Sequence, residues 1–312
     1  MKYDFFTVDS YTFFNKESIL KDGTDYPKML NIEPTNDCNY DCVMCSRKNS
    51  NRPIGNMSMS LFCSIIDDVV KNGKEILWLT LHNDGESLMH PQLPEMIQYA
   101  KSSGAIRYVH FNTNAQLLTK ELAIKLIESG LDDLTISIDA ISQKTFHKVK
   151  RAGDLETVTK NTIQLMDLKK QMGKQNPWVR AKIIDMPTTK HEIDAFKDFW
   201  TPLVDEVQVQ AIHNAAGSLR IKPKDQITRH PCSLLWYSVS IKWDGLVSPC
   251  CVDLTGDNPL GDLKIESLKD VFKDGKIKQY REKMLNGQES ELSPCNNCDV
   301  WKNGINLFEE ES

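Results

Sequence analysis

The sequence predicts an α/β fold: a partial, TIM-like parallel barrel of six strand–helix units, (β/α)6, with a small C-terminal domain appended. Three observations predict it. Apolar, β-branched runs alternate with helical patterns between residues 29 and 211. The units repeat at about 30 residues each, and six of them fall short of the roughly 250 residues that a full eight-unit barrel needs. Eight of the nine cysteines fall into two groups, Cys38–Cys45 and Cys232–Cys298, one at each end of that alternation.

The expected strands are Met29–Pro34, Glu75–Leu81, Arg107–Thr113, Asp133–Ile138, Val179–Ile184 and Val204–Ala211. Helices are expected between them: Ser60–Lys71 behind the caps Ser58 and Ser60, Leu93–Ser103 behind Pro91, Lys120–Ser129 capped by Thr119, Asp154–Met172 and Lys190–Phe199. Parallel strands joined by helices place working loops at the strands' C-terminal ends, and the loop Cys38–Cys45 follows the first strand. The division expected is 1–28 as an N-terminal extension, 29–215 as the barrel and 216–312 as the appended domain. The aromatics of the extension, Tyr3, Phe5, Phe6, Tyr11, Phe13 and Phe14, suggest a segment lying on the barrel.

Composition bounds the function. A 40% hydrophobic chain of 312 residues can bury a sizeable core. No apolar run approaches the roughly 20 residues of a membrane span. A net charge of −5 and a pI near 5.9 argue against nucleic acid. The basic stretches Lys144–Arg151 and Lys169–Lys174 read as solvated helix faces. An odd cysteine count, the tight clustering of Cys38–Cys45 and the lack of a secretory h-region argue against disulfides and for a reducing cytoplasm.

Cys38, Cys42 and Cys45 are spaced C-x3-C-x2-C. Three thiolates this close can hold three corners of a [4Fe–4S] cube and leave one iron open to a small molecule. Zinc prefers four ligands, and no fourth Cys or His lies near Cys45. This loop resembles the cluster loop of the radical S-adenosylmethionine (SAM) enzymes, and later strand ends carry the rest of the resemblance. His82-Asn83-Asp84-Gly85-Glu86 resembles the family's Gly-Gly-Glu motif, with Asp84 in place of the first glycine and Glu86 expected to take the SAM amino group. Phe111-Asn112-Thr113-Asn114-Ala115 resembles the Thr-Asn-Gly segment, with Ala115 where glycine is usual. Ser137-Ile138-Asp139-Ala140 resembles the Ser-Ile-Asp-Ala segment. The resemblance implies that Met44, Gly85, Glu86, Asn112, Asn114, Ser137 and Asp139 bind SAM. On the fifth strand Arg180 and Lys182 share a face, and Arg180 is the candidate for the SAM carboxylate.

Cys232, Cys250, Cys295 and Cys298 form the second set, with Cys251 beside Cys250 and a hairpin turn at Trp243-Asp244-Gly245. This region resembles the auxiliary-cluster domain of the SPASM/twitch radical SAM enzymes, in its short, one-cluster form. The resemblance implies a second [4Fe–4S] cluster on those four thiolates; zinc is the alternative that four cysteines ending in C-x2-C admit. Cys251, facing away from Cys250 on a strand, is read as a non-ligand, and Cys63 as a small hydrophobe of the first helix.

The function implied is reductive SAM cleavage and hydrogen abstraction. The pattern is most similar to 2-deoxy-scyllo-inosamine dehydrogenase-type enzymes, which favours oxidation of a sugar- or cyclitol-like small molecule, with a flavodoxin or ferredoxin as electron donor. The 28 residues before Met29 look too short for the peptide-binding domain that many SPASM maturases carry. A peptide-modifying maturase and a non-catalytic iron–sulfur or zinc scaffold are the alternatives. His213, Arg220, Tyr237 and Asp253 are the nominated catalytic residues, since oxidation of an alcohol needs a base within hydrogen-bond reach.

Overall fold

The computed structural model describes residues 25–214, 216 and 229–303. All six expected strands are present: β1 Met29–Ile32, β2 Ile76–Thr80, β3 Ile106–Thr113, β4 Asp133–Ser137, β5 Trp178–Asp185 and β6 Glu206–Ala211. They pair in parallel in simple sequence order from β1 to β6. Helices α1 Met59–Lys71, α2 Leu93–Ser102, α3 Lys120–Glu128, α4 Gln143–Lys150, α5 Leu155–Gln171 and α6 Ile193–Trp200 connect them. The fold is thus an α/β partial barrel, its inner strands largely buried on both faces, as parallel strands covered by helices are, and its edge strand β6 more open.

The caps explain where helices begin. Ser58, Thr119, Ser142 and Asp154 each accept a backbone N–H three residues on, satisfying a donor that the first helical turn leaves open. Helix α4 coincides with the helical stretch expected around Lys144–Arg151, but it is not a solvated face throughout: Phe146 and Val149 are buried. The basic stretches are not wholly solvated. Lys150 is buried against Asp139, and Lys169 pairs with Asp205 at 2.5 Å. A lysine aliphatic stem can lie in a core provided its ammonium meets a carboxylate.

The C-terminal region extends the barrel sheet directly. β7 Ser238–Ile241 follows the four-residue helix α7 Leu234–Tyr237 and pairs in parallel with β1, and β8 Leu246–Ser248 and β9 Gly261–Asp262 add antiparallel strands to make nine. The expected hairpin turns at Gly245, whose φ of +89° favours glycine. Helices α8 Leu268–Lys273 and α9 Lys276–Leu285 pack on this end. Cys250 lies beyond the end of β8 rather than on it. Residues 1–24 of the expected extension lie outside the described residues.

Candidate active site

The first thiol loop is held by the ends of neighbouring strands. Asp37 Oδ1 accepts the Cys38 amide at 2.8 Å, and the Val43 amide donates to the Val149 carbonyl at 2.9 Å. Tyr40, between Cys38 and Cys42, donates its hydroxyl to Gln116 at 2.7 Å and meets Phe146 edge-on. A Cβ on Gly153 would sit 2.0 Å from that hydroxyl. Burial pushes the Cys38 thiol up to about 11 and raises that of Cys42.

Gly85 and Glu86 dock against this loop. A Cβ on Gly85 would lie 2.3 Å from the Thr35 carbonyl oxygen and 2.5 Å from that of Asp37, so only glycine permits the approach that lets the Glu86 amide donate to Asp37 at 2.7 Å. The Glu86 carboxylate accepts from the Thr113 hydroxyl at 2.6 Å and the Asn114 amide at 2.7 Å, and its pKa is raised, burial being the main cause. Asn114 reaches Asn39 of the thiol loop at 2.7 Å.

Asp84, the departure from glycine, has partners. It accepts from Arg52 at 3.1 Å and from the buried Lys242 at 3.3 Å, while Arg52 also grips Glu33 at 2.6 Å. Burial pushes the Asp84 carboxyl up, and both cations pull it back. Glu33 in turn accepts the Trp243 amide at 3.0 Å. This quartet joins the barrel to the C-terminal hairpin.

A polar cavity of about 330 Å³ opens at the strands' C-terminal ends. Met44, Cys45, Asn112 and His213 line it, as expected residues, together with Lys182, His82, Gln208 and Cys251. Among the described residues, the buried Asn112 Oδ1, Gln208 Oε1 and His82 Nδ1 have no hydrogen-bond partner. Burial, and then Lys182, pushes the His82 imidazole down to about 3; burial lowers His213 as well. A larger groove, about 870 Å³, runs along the outside of α5 and holds no cysteine.

Several nominated residues stand elsewhere. Arg180 is locked in the barrel by Asp133 at 2.5 Å and Glu206 at 2.8 Å; its neighbour on the same face, Lys182, reaches the cavity instead. Asp139 adopts φ +62°, accepts the Ile184 amide at 2.7 Å and pairs with Lys150 at 2.6 Å. Lys150, whose ammonium also lies close enough to Cys42 to influence its thiol, was missed as a site residue. The signal was a lysine at an apolar position of α4. Ser137 is half-buried at the end of β4. Tyr237 is buried in the core, and Asp253 caps its own turn by accepting the Gly256 amide, so neither faces the cavity. Arg220 lies outside the described residues.

The second thiol set meets in one place. Cys232, Cys250, Cys295 and Cys298 all line a small, apolar cavity of about 20 Å³ near Trp301 and Leu235. Burial raises all four thiols, to about 11 for Cys232 and about 12 for Cys295. Among the described residues no three His, Cys, Asp or Glu side chains are gathered tightly enough to hold one metal ion. Four soft donors on a dry, enclosed surface suit an iron–sulfur cube, and three donors beside a polar cavity suit one with an open iron.

Comparison with known proteins agrees with this division. Residues 32–174 match the radical SAM superfamily, and residues 232–299 match the SPASM iron–sulfur cluster-binding domain. The chain carries a radical SAM domain and a SPASM domain. [4Fe–4S] clusters and SAM are the cofactors that these two domains imply. Among curated relatives, a tungsten-containing aldehyde ferredoxin oxidoreductase cofactor-modifying protein of Pyrococcus furiosus is 30% identical over 159 residues, covering 50% of this chain and 43% of that protein. An AdoMet-dependent heme synthase of Methanosarcina barkeri is 35% identical over 123 residues, covering 39% and 34%. The chain thus spans less than half the length of these relatives. Among solved structures, BtrN in complex with AdoMet and 2-DOIA superimposes with a TM-score of 0.60 at 17% identity, over 87% of this chain and 92% of that one. SuiB of Streptococcus suis, bound to the precursor peptide SuiA, gives 0.63 at 17% identity, over 91% and 72%. These likenesses show the fold.

Proposed function

We propose that Cys38, Cys42 and Cys45 hold a SAM-binding [4Fe–4S] cluster, that Cys232, Cys250, Cys295 and Cys298 hold an auxiliary one, and that the enzyme acts on a carbohydrate-like small molecule. The observation that carries this reading is the separation of the two thiol sets, one on the loop beside an open polar cavity and the other around a closed apolar one. When bound, the first cluster and SAM supply a 5′-deoxyadenosyl radical that takes a hydrogen atom from substrate.

The chain's own residues supply position. Gly85 lets the Glu86 loop sit against the thiol loop, where the Glu86 carboxylate can accept from the SAM ammonium. Lys150 and Lys182 offer cations to the SAM carboxylate, the part expected of Arg180. Met44 provides a polarizable surface for the adenine. Asn112, Gln208 and His82 present unmet hydrogen-bonding atoms, which suit hydroxyl groups. The barrel unit is taken as 29–215 and the auxiliary unit as 216–312. A one-electron donor of the ferredoxin or flavodoxin class completes the system.

A peptide substrate is the second reading, favoured by the likeness to SuiB. Ring-deuterated sugars and cyclitols and, separately, deuterated peptides distinguish the two. Deuterium is expected in 5′-deoxyadenosine from a carbohydrate; transfer from a peptide alone would overturn the reading.

A further inference from the structure

We infer that Cys251 is the hydrogen-atom donor to the substrate radical, so that this site inverts a C–H centre without net oxidation. The inference rests on the radical SAM reading of the same cavity and fixes what becomes of its substrate. Cys250 and Cys251 are adjacent, yet they serve different spaces. Cys250 faces the apolar cavity with the other three thiols, whereas Cys251 is exposed on the polar mouth cavity, which Cys45 of the first thiol loop also lines.

Cys251 is also held in place. In its hydrogen-bonding orientation the Asn83 amide donates to the Cys251 carbonyl at 3.1 Å and accepts from Lys242 Nζ at 2.7 Å. Asn83 belongs to the loop that carries Gly85 and Glu86, so the Cys251 backbone is tied to the expected SAM-binding segment. Independent observations mark the cavity as a ligand site. Gln208 is 5% exposed, and its Oε1 and the Asn112 Oδ1, on the same cavity wall, have no partner among the described residues. A ligand bridging these acceptors lies in the space that Cys251 faces.

The balance closes. Hydrogen abstraction leaves a carbon radical on the substrate. The S–H bond, weaker than a sugar C–H bond, breaks as a new C–H bond forms, and the odd electron passes to sulfur. The thiyl radical then takes one electron from a one-electron donor, ferredoxin, flavodoxin or dithionite, and one proton from water. Each turnover consumes one SAM and two electrons and leaves the substrate isomerised at its original oxidation level.

The test uses the reconstituted full chain with SAM and dithionite in D2O, with myo-inositol, 2-deoxystreptamine and glucosamine as probes. Ring-deuterated forms of each are run in H2O. A thiol exchanges with solvent, so the recovered sugar is expected to carry one carbon-bound deuterium. In Cys251→Ala the ratio of solvent-labelled sugar to 5′-deoxyadenosine is expected to fall about a hundredfold, with iron content unchanged. A probe that gives deuterium to 5′-deoxyadenosine but returns as an unlabelled product two hydrogens lighter overturns the role of Cys251 and leaves the carbohydrate reading standing. If no probe gives deuterium, the carbohydrate reading fails, and turnover without substrate in D2O judges the thiol. Solvent deuterium in 5′-deoxyadenosine that disappears in Cys251→Ala upholds it; label that persists, or none in the native enzyme, overturns it.

Discussion

Gly85 and Ala115 are both placed by backbone geometry, with opposite consequences for substitution. A methyl group on Gly85 meets two carbonyl oxygens within van der Waals radii, and neither belongs to a flexible side chain. Gly85→Ala is therefore expected to separate the Glu86 loop from the thiol loop, destabilise the chain by about 1–3 kcal/mol and sharply weaken SAM binding, as read by thermal unfolding and equilibrium dialysis. Ala115 stands at φ +57°, a left-handed conformation that glycine adopts freely. Ala115→Gly is expected to be neutral or stabilising by up to about 1 kcal/mol; marked destabilisation would show that the methyl packs usefully. The thiol spacings and the Gly85-Glu86 pair were legible in the sequence because local chain geometry dictates them. Lys182 rather than Arg180 at the mouth was not. Both project from the same face of β5, and only the three-dimensional position of Asp133 and Glu206 decides which one is neutralised.

Among the elements, the loop after β2 and the hairpin β7–β8 are joined by the quartet Glu33, Arg52, Asp84 and Lys242. Asp84, which departs from the family's glycine, answers two cations, Arg52 and the buried Lys242. Removing one partner of a buried pair leaves an uncompensated charge, whereas removing both leaves only lost packing. Asp84→Gly is thus expected to cost about 3 kcal/mol, and Lys242→Met in the same chain to restore much of it. Equal stability losses in Asp84→Gly with and without Lys242→Met, measured by chemical denaturation, would show that the two residues are not coupled. No sequence pattern announces this network, since its members are separated by up to about 200 positions and meet only when β7 pairs with β1. Five of the six strands were legible because each carries a buried apolar run, and β6 because Val207 and Val209 alternate with polar residues. The buried side of helix α4 was not legible, because Phe146 and Val149 make too narrow a pattern beside six polar neighbours.

For the whole molecule, the sheet is the unit that brings the two thiol sets into one machine. The alternation of strands and helices made the barrel legible, but the parallel pairing of β7 with β1 was not, because strand order depends on tertiary contacts. That pairing places the end of the C-terminal hairpin over the barrel mouth, and so puts Cys251 in the cavity and Cys250 behind it. Cys38, Cys42 and Cys45 together are expected to make SAM cleavage possible. The direct measurement is dithionite-dependent 5′-deoxyadenosine formation by the reconstituted variant Cys38→Ala/Cys42→Ala/Cys45→Ala. No 5′-deoxyadenosine above background is expected from a folded protein that still holds about four irons at its second thiol set; undiminished SAM cleavage in that variant would show that these thiols do not hold the SAM-cleaving cluster.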